Sequence, residues 1–453
     1  MHSCPMPRRP QVRRGAVAPL TILCLALLVS VTALVIDGGT LMEARRHVQA
    51  AADAAAMAGA VDLYTNYLTN QGVDVSGTAK SSALSAASDN SYTNDGVQST
   101  VTVNTSGQNY QGGPNAGKTI PAGYIEVLIQ YNASHLFSGV FGAGTSPVCA
   151  RAVARGRCTP LTFNGLHALN LNLSAALNVS STGGLTVNGG IQVSSSNSSA
   201  IKLSLTSTLT AAQITLNPLT GSLLGSILHL LVGTDGSSPA VVNSPPVPDP
   251  LRFLTPPSTT NLITRGTNLS ISSGTVDLYP GIYTDGIKIS GLGTVVNLHA
   301  NSDGSPGIYF LDGQNGFQVS GWATVRTAVG ETAGIMFYNN WAGMSDSINL
   351  NTSGIISLIP PASGLYRGLC IFQKRGSTST PGPTVTLSAQ GAANVTGTIY
   401  AAHANVSLAT NSSTNVMCGQ VIADSVSVSG LANLHINPGT QPTANQRFLG
   451  LVE

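Results

Sequence analysis

The 453 residues carry 20 Lys and Arg against 18 Asp and Glu, and a formal net charge of +2 is too small for the basic footprint of a nucleic-acid binder. Only 8% of residues are charged while 42% are apolar, which excludes a solvated disordered chain. The length asks for two or three structural units or for an elongated repeat.

Residues 1–15 read as a basic cytoplasmic leader with Arg8, Arg9, Arg13 and Arg14. Residues 16–36, AVAPLTILCLALLVSVTALVI, contain no charge and are long enough to span a hydrocarbon core of about 30 Å, which predicts a transmembrane helix. Arg45 and Arg46, on its far side, are partly offset by Asp37 and Glu43, so the positive-inside bias places the N-terminus in the cytoplasm. A single pass through the inner membrane then leaves the C-terminal bulk periplasmic or extracellular. Val31-Thr32-Ala33 offers the small residues of a signal-peptide cleavage site. Against cleavage, the apolar run exceeds a usual signal core and its helical pattern continues through Met42, Val48, Ala52 and Ala56. Arg13-Arg14 runs into Gly15 rather than a bulky apolar pair, which disfavours a twin-arginine signal.

Residues 37–70 read as an Ala-rich stalk helix whose small side chains let a neighbour approach closely. Gln49 and Asp53, one turn apart, mark a narrow polar stripe on it. Within 71–158 a small strand-rich module is expected: Gly123-Tyr-Ile-Glu-Val-Leu-Ile-Gln-Tyr alternates like a strand, and Val148-Cys-Ala-Arg-Ala-Val-Ala follows an aromatic-glycine turn at Phe137 to Gly142.

Arg14-Gly15 before the apolar run, Asp37 directly after it, and the block Gln49 to Ala60 resemble the N-terminal module of TadG-like proteins of the tight-adherence (Flp) pilus system. The resemblance implies membrane anchoring and partners among pilus-assembly or other envelope proteins. Prepilin processing in that system expects Glu five residues after a Gly, whereas Gly15 is followed there by Leu20, with Pro19 before it, which argues against maturation as a pilin. Many relatives carry a von Willebrand type A domain, but Asp74-Val-Ser-Gly-Thr and Asp89-Asn-Ser-Tyr-Thr lack the apolar strand that should precede its metal motif.

From Leu166 short alternating strands recur, such as Leu169-Asn-Leu-Asn-Leu and Ile214-Thr-Leu, giving a first β-solenoid block over 159–240. A Pro-rich bridge, 241–260, marks a subdomain boundary or a chain crossing the solenoid face. In a second block, 261–445, a Gly precedes an apolar strand at Gly281, Gly307, Gly334, Gly368, Gly397 and Gly419, at intervals of roughly one solenoid coil. Residues 446–453 read as a tail. The fold class is therefore mainly β with one long N-terminal transmembrane helix, a small α+β stalk module and a parallel, right-handed β-helix-like solenoid. A β-sandwich array is the rival, with longer strands and more regular turns.

Parallel β-helices also host polysaccharide-cleaving enzymes, which need paired carboxylates or a calcium-binding acidic set. The acids Asp277, Asp285, Asp303, Asp312, Glu331, Asp346 and Asp424 are scattered, and only Asp277, Asp285 and Asp312 fall near one another in coil register. Turn capping explains each equally well. His135, His299, His403 and His435 stand alone without metal-ligand spacing. No catalytic, cofactor-binding or metal residue is assigned. Cys149 and Cys158 offer a short disulfide loop, and Cys370 and Cys418 a second bridge or two buried thiols. The expectation is a membrane-anchored, non-catalytic, adhesin-like or pilus-assembly-associated protein, with a surface glycan as a further candidate partner. The alternatives are a tethered carbohydrate-active β-helix enzyme and a pilin-like filament subunit.

Overall fold

The computed structural model describes residues 17–135, 137, 144–160, 165–217, 231–232, 240–340, 348–376, 384–391, 393–410, 416–431, 433–437 and 444–453. The basic leader, 1–15, lies outside them. Two units divide the chain, Met1–Cys158 with Phe448–Glu453, and Thr159–Arg447.

In the first unit the uninterrupted helical pattern of the sequence becomes one 49-residue helix, α1 (Val17–Thr65). Its two halves differ in what they touch. None of residues 17–36 is buried, whereas Val48, Ala51, Ala52, Ala55, Ala56, Gly59, Ala60 and Leu63 are. After a short α2 (Tyr67–Asn70) comes α3 (Thr78–Asp89), which buries Ala79, Ala83 and Ala87, one per turn, beside α1. The carboxylate of Asp74 accepts the amides of Ala79 (3.1 Å) and Lys80 (3.0 Å), satisfying donors that the first turn of α3 leaves unpaired.

Three antiparallel strands follow: β1 (Ser99–Asn104), β2 (Tyr124–Ser134) and β3 (Thr145–Pro160). The fourth strand of this sheet, Asn445–Leu451, is one that the sequence did not suggest, since 446–453 reads as a tail too short and too mixed to declare a pairing partner. Alternation along β2 turns Ile125, Val127 and Ile129 toward the alanines of α1. The helix lies so close that a Cβ on Gly156 of β3 would stand 1.9 Å from the Ala60 carbonyl oxygen, and one on Gly59 would meet Ile125 Cδ1 at 2.3 Å. Absence of a side chain at these two positions sets the distance between the layers.

The second unit is built from parallel pairings. Three ladders run through it, one for each strand position in a coil. One ladder joins Gly281–Ile289, Gly307–Asp312, Ile335–Asn339, Leu369–Gln373, Ala393–Thr410 and Val416–Gly430. A second continues through Phe317–Val319, Ile348–Thr352 and Val385–Ala389, and a third through Thr275–Leu278, Leu292–Leu298, Trp322–Thr327 and Ile356–Leu358. A β-sandwich would instead be antiparallel, so this arrangement is solenoid-like. The recurring glycines sit where the chain turns into the first ladder. Gly334, for example, has φ of 79°, and a Cβ there would stand 2.0 Å from the Pro360 carbonyl oxygen.

Stacking order departs from chain order. The first block, which begins at Gly165–Ala168 and Leu177–Val179, pairs with Val416–Gly430 and continues the same ladders through Leu185–Val193 and Leu209–Leu216 to Ala240–Asn243. The chain must then return to the opposite end of the stack, where Thr264–Ile271 pairs with Gly281–Ile289. The Pro-rich segment makes that journey. On the way Leu251 and Leu254 bury against an outward row formed by Phe310, Tyr338, Phe372 and Tyr400, whose ring centroids are spaced 5.1 Å apart. Proline suits this course because it has no amide hydrogen to satisfy beside a sheet that already pairs its own backbone. A clasp fixes it: Tyr400 donates its hydroxyl to Asp249 (2.6 Å), and Arg375 donates to the Leu254 carbonyl (3.0 Å) and to that of Leu251.

Cys149 and Cys158 lie nine positions apart on the extended β3, about 30 Å of chain, so the short disulfide loop does not form. Cys370 is a fully buried free thiol that burial pushes up to about 12, and the side chain of Cys418 lies outside those described.

Substituting Gly156→Ala is expected to destabilise the first unit by about 1–3 kcal/mol through overpacking against α1. Hydrogen exchange of the β1 and β2 amides would read this as faster opening, while exchange in 165–436 stays unchanged.

Candidate functional site

The apolar half of α1 meets the requirements of a lipid environment in its backbone and in its few polar side chains. Every backbone group in the interior of a helix is paired within it. Thr21 donates its hydroxyl to the Val17 carbonyl, Ser30 to that of Ala26 (2.7 Å) and Thr32 to that of Leu28 (2.8 Å). The first charge after the run, Asp37, is only 5% exposed. Its carboxylate accepts the amide of Phe137, 3.1 Å away and three residues past the end of β2, so the residue that closes the apolar segment also fixes Phe137.

A charged network lies on β2 and β3. Glu126 is fully buried, and its carboxylate accepts from Arg151 Nε (2.7 Å), Asn104 Nδ2 (2.9 Å) and the Gln111 amide (2.9 Å). Burial alone would raise this carboxyl, but the hydrogen bonds from Gln111, Asn104 and Arg151 outweigh it and hold Glu126 below the usual carboxylate range. Arg151 also donates to the Glu453 carboxylate, and its carbonyl accepts from Gln49 (2.9 Å), which in turn donates to Asp53 (2.8 Å). The polar stripe of the stalk helix is thus a docking stripe for β3. Glu126 carries no sequence signal for this role, because a lone Glu in an alternating strand reads as solvent-facing, and Glu453 lies past the last strand.

The carboxylates singled out in the second unit divide between ladders, Asp277 on one and Asp285 and Asp312 on another. Asp277 lies on the third ladder, hydrogen-bonded by Asn297 Nδ2 (2.9 Å) and paired with His299 Nε2 (3.2 Å). Asp312 lies on the first ladder and accepts from Asn340 Nδ2 (2.9 Å), and Asp285, beside it, adopts a left-handed turn with φ of 56°. Asp303 caps a turn at Ser305, Glu331 accepts the amides of Ala300 and Ala333, and Asp424 accepts from Asn170. Asp346 lies outside the described residues. His135 bonds Ser146 (2.8 Å), His403 bonds the Gly376 carbonyl, and His435 sits in the strand Leu434–Ile436. Around Asp277 the surface is chemically mixed: Tyr279, 47% exposed, stacks on His299 at 4.9 Å, and Arg326 donates to Asn297 (2.9 Å).

His167 continues the outward row beyond Tyr400 and Ile422, and burial lowers it to about 4. The imidazole is therefore folded in its neutral form.

An apolar helix long enough to cross a membrane, unburied along that stretch and continuous with a small α+β unit, defines an N-terminally membrane-anchored protein. Residues 15–62, which include the whole described apolar run and most of the Ala-rich stripe, match the family described as putative Flp pilus-assembly TadE/G-like. No curated protein matches the chain.

Arg151→Ala strands the Glu126 charge and is expected to cost about 3 kcal/mol, the low end for a broken buried pair because Arg151 retains some exposure. Hydrogen exchange across β2 and β3 measures it, and Glu126→Gln in the same background should recover part of the loss. The unfolded chain binds a proton at His167 near pH 6.5 and the folded one only near 4, so stability falls as pH drops through that window. The loss reaches about 3 kcal/mol below the folded value. A His167→Gln variant should show a flatter stability profile between pH 6.5 and 4 in denaturant titrations of the second unit.

Proposed function

We propose that this chain is a non-catalytic envelope protein of the tight-adherence pilus type, held in the inner membrane with its N-terminus cytoplasmic. In this reading the TadE/G-like helix is retained as an anchor, and its Ala-rich half holds the α+β unit at the outer membrane face of the span. The observation that carries it is the single unbroken helix in which none of residues 17–36 is buried while the Ala-rich half is packed against a sheet. Beyond the anchor, the three parallel ladders support a right-handed β-helix that presents side-chain rows for binding pilus components, other envelope proteins or a surface glycan. The Tyr279, His299, Asp277, Asn297 and Arg326 surface combines an exposed ring with amide, carboxylate and guanidinium groups, a mixture suited to hydroxyl-rich ligands. Asp277 and Asp312 each hold a hydrogen-bonded structural role and Asp285 a turn, and binding needs no more of them than that.

Protease added to spheroplasts is expected to digest residues after 37 while the leader stays protected, and the membrane fraction should retain a fragment containing 17–36. Digestion of the leader with protection of the β unit would reverse the orientation. Recovery of the intact chain in the soluble fraction would remove the anchor.

A further inference from the structure

We propose that Phe137 inserts into the lipid leaflet on the exit side of the anchor, giving the first unit a second contact with the bilayer besides α1. The proposal rests on the reading of the unburied part of α1 as the membrane span. The amide of Phe137 is tied to Asp37, the residue at which the apolar run ends. Phe137 forms one wall of an apolar groove whose other wall is Leu25, Leu28, Val29, Thr32 and Ala33 of α1. These residues lie 4 to 12 positions before Asp37, which corresponds to about 6–18 Å along the helix on its apolar side. Phe137 therefore sits at the depth of residues that would contact acyl chains, and it is 42% exposed there. The occupant of the groove follows from its second wall: the helix face that lines it belongs to a segment none of which is buried by the protein, so acyl chains surround it.

The hydrogen bond to Asp37 meets the main objection. Non-helical backbone near hydrocarbon is penalised for each unpaired amide, and the amide of Phe137 is paired.

The full chain reconstituted in phosphatidylcholine vesicles with a diazirine on the acyl chain tests this. Irradiation and peptide mapping should find lipid adducts both within 17–36 and on the peptide containing Phe137. Phe137→Leu should keep the second set, and Phe137→Glu should lower it about tenfold or more while leaving the first unchanged. Adducts confined to 17–36 in the unaltered chain overturn the proposal and leave the anchor standing, whereas no adducts at either place remove the anchor itself. In native membranes, a photoreactive residue at 137 that crosslinks to a protein helix instead of lipid also overturns it.

Discussion

The first unit depends on the near absence of side-chain volume along one stripe of α1. Alanine and glycine at positions 51 to 60 let strands β2 and β3 approach until a single methyl on Gly156 would strike the helix backbone. Small side chains bury little apolar area apiece, so the layer holds through contact number and closeness, which makes it intolerant of added volume. Beyond the stripe the helix continues without interruption into its apolar half. Charge is then placed at the margin of this layer: Gln49 bonds the β3 backbone, and Glu126 and Arg151 satisfy each other where water is excluded.

The second unit solves a different problem. Stacked parallel strands pair their backbones without regard to which coil came first in the chain, so continuity of the core rather than chain order decides the stacking. Its outward row of Phe310, Tyr338, Phe372 and Tyr400 would be a large exposed aromatic strip, and the Pro-rich return segment covers it. Arg375 and Asp249 hold that cover in place through the Tyr400 hydroxyl and two main-chain carbonyls.

Much of this was legible in the residues themselves. The length and lack of charge of 16–36, the Ala-rich block, the alternation around Ile125 and the glycines from Gly281 to Gly419 each carry a local periodicity that matches the element found. Long-range choices left no such trace. Asn445–Leu451 joins the first sheet through backbone pairing, which any extended segment supplies. The placement of Asp277 apart from Asp285 and Asp312 depends on how each coil divides among the ladders, and loops of unequal length between strands blur that register in the sequence. The bond from Phe137 to Asp37 spans 100 positions and has no periodic signature.

The junction between Gly165–Ala168 and Val416–Gly430 bears on how the molecule is made. Residues near 165 are synthesised before the whole second block, and their strand partner follows only near its end. Until it arrives, the early strands present an open edge with unmet amides and carbonyls, the feature that recruits stray strands from other chains. Joining of the two blocks thus waits for 416–430, and a product lacking that strand would keep the edge open.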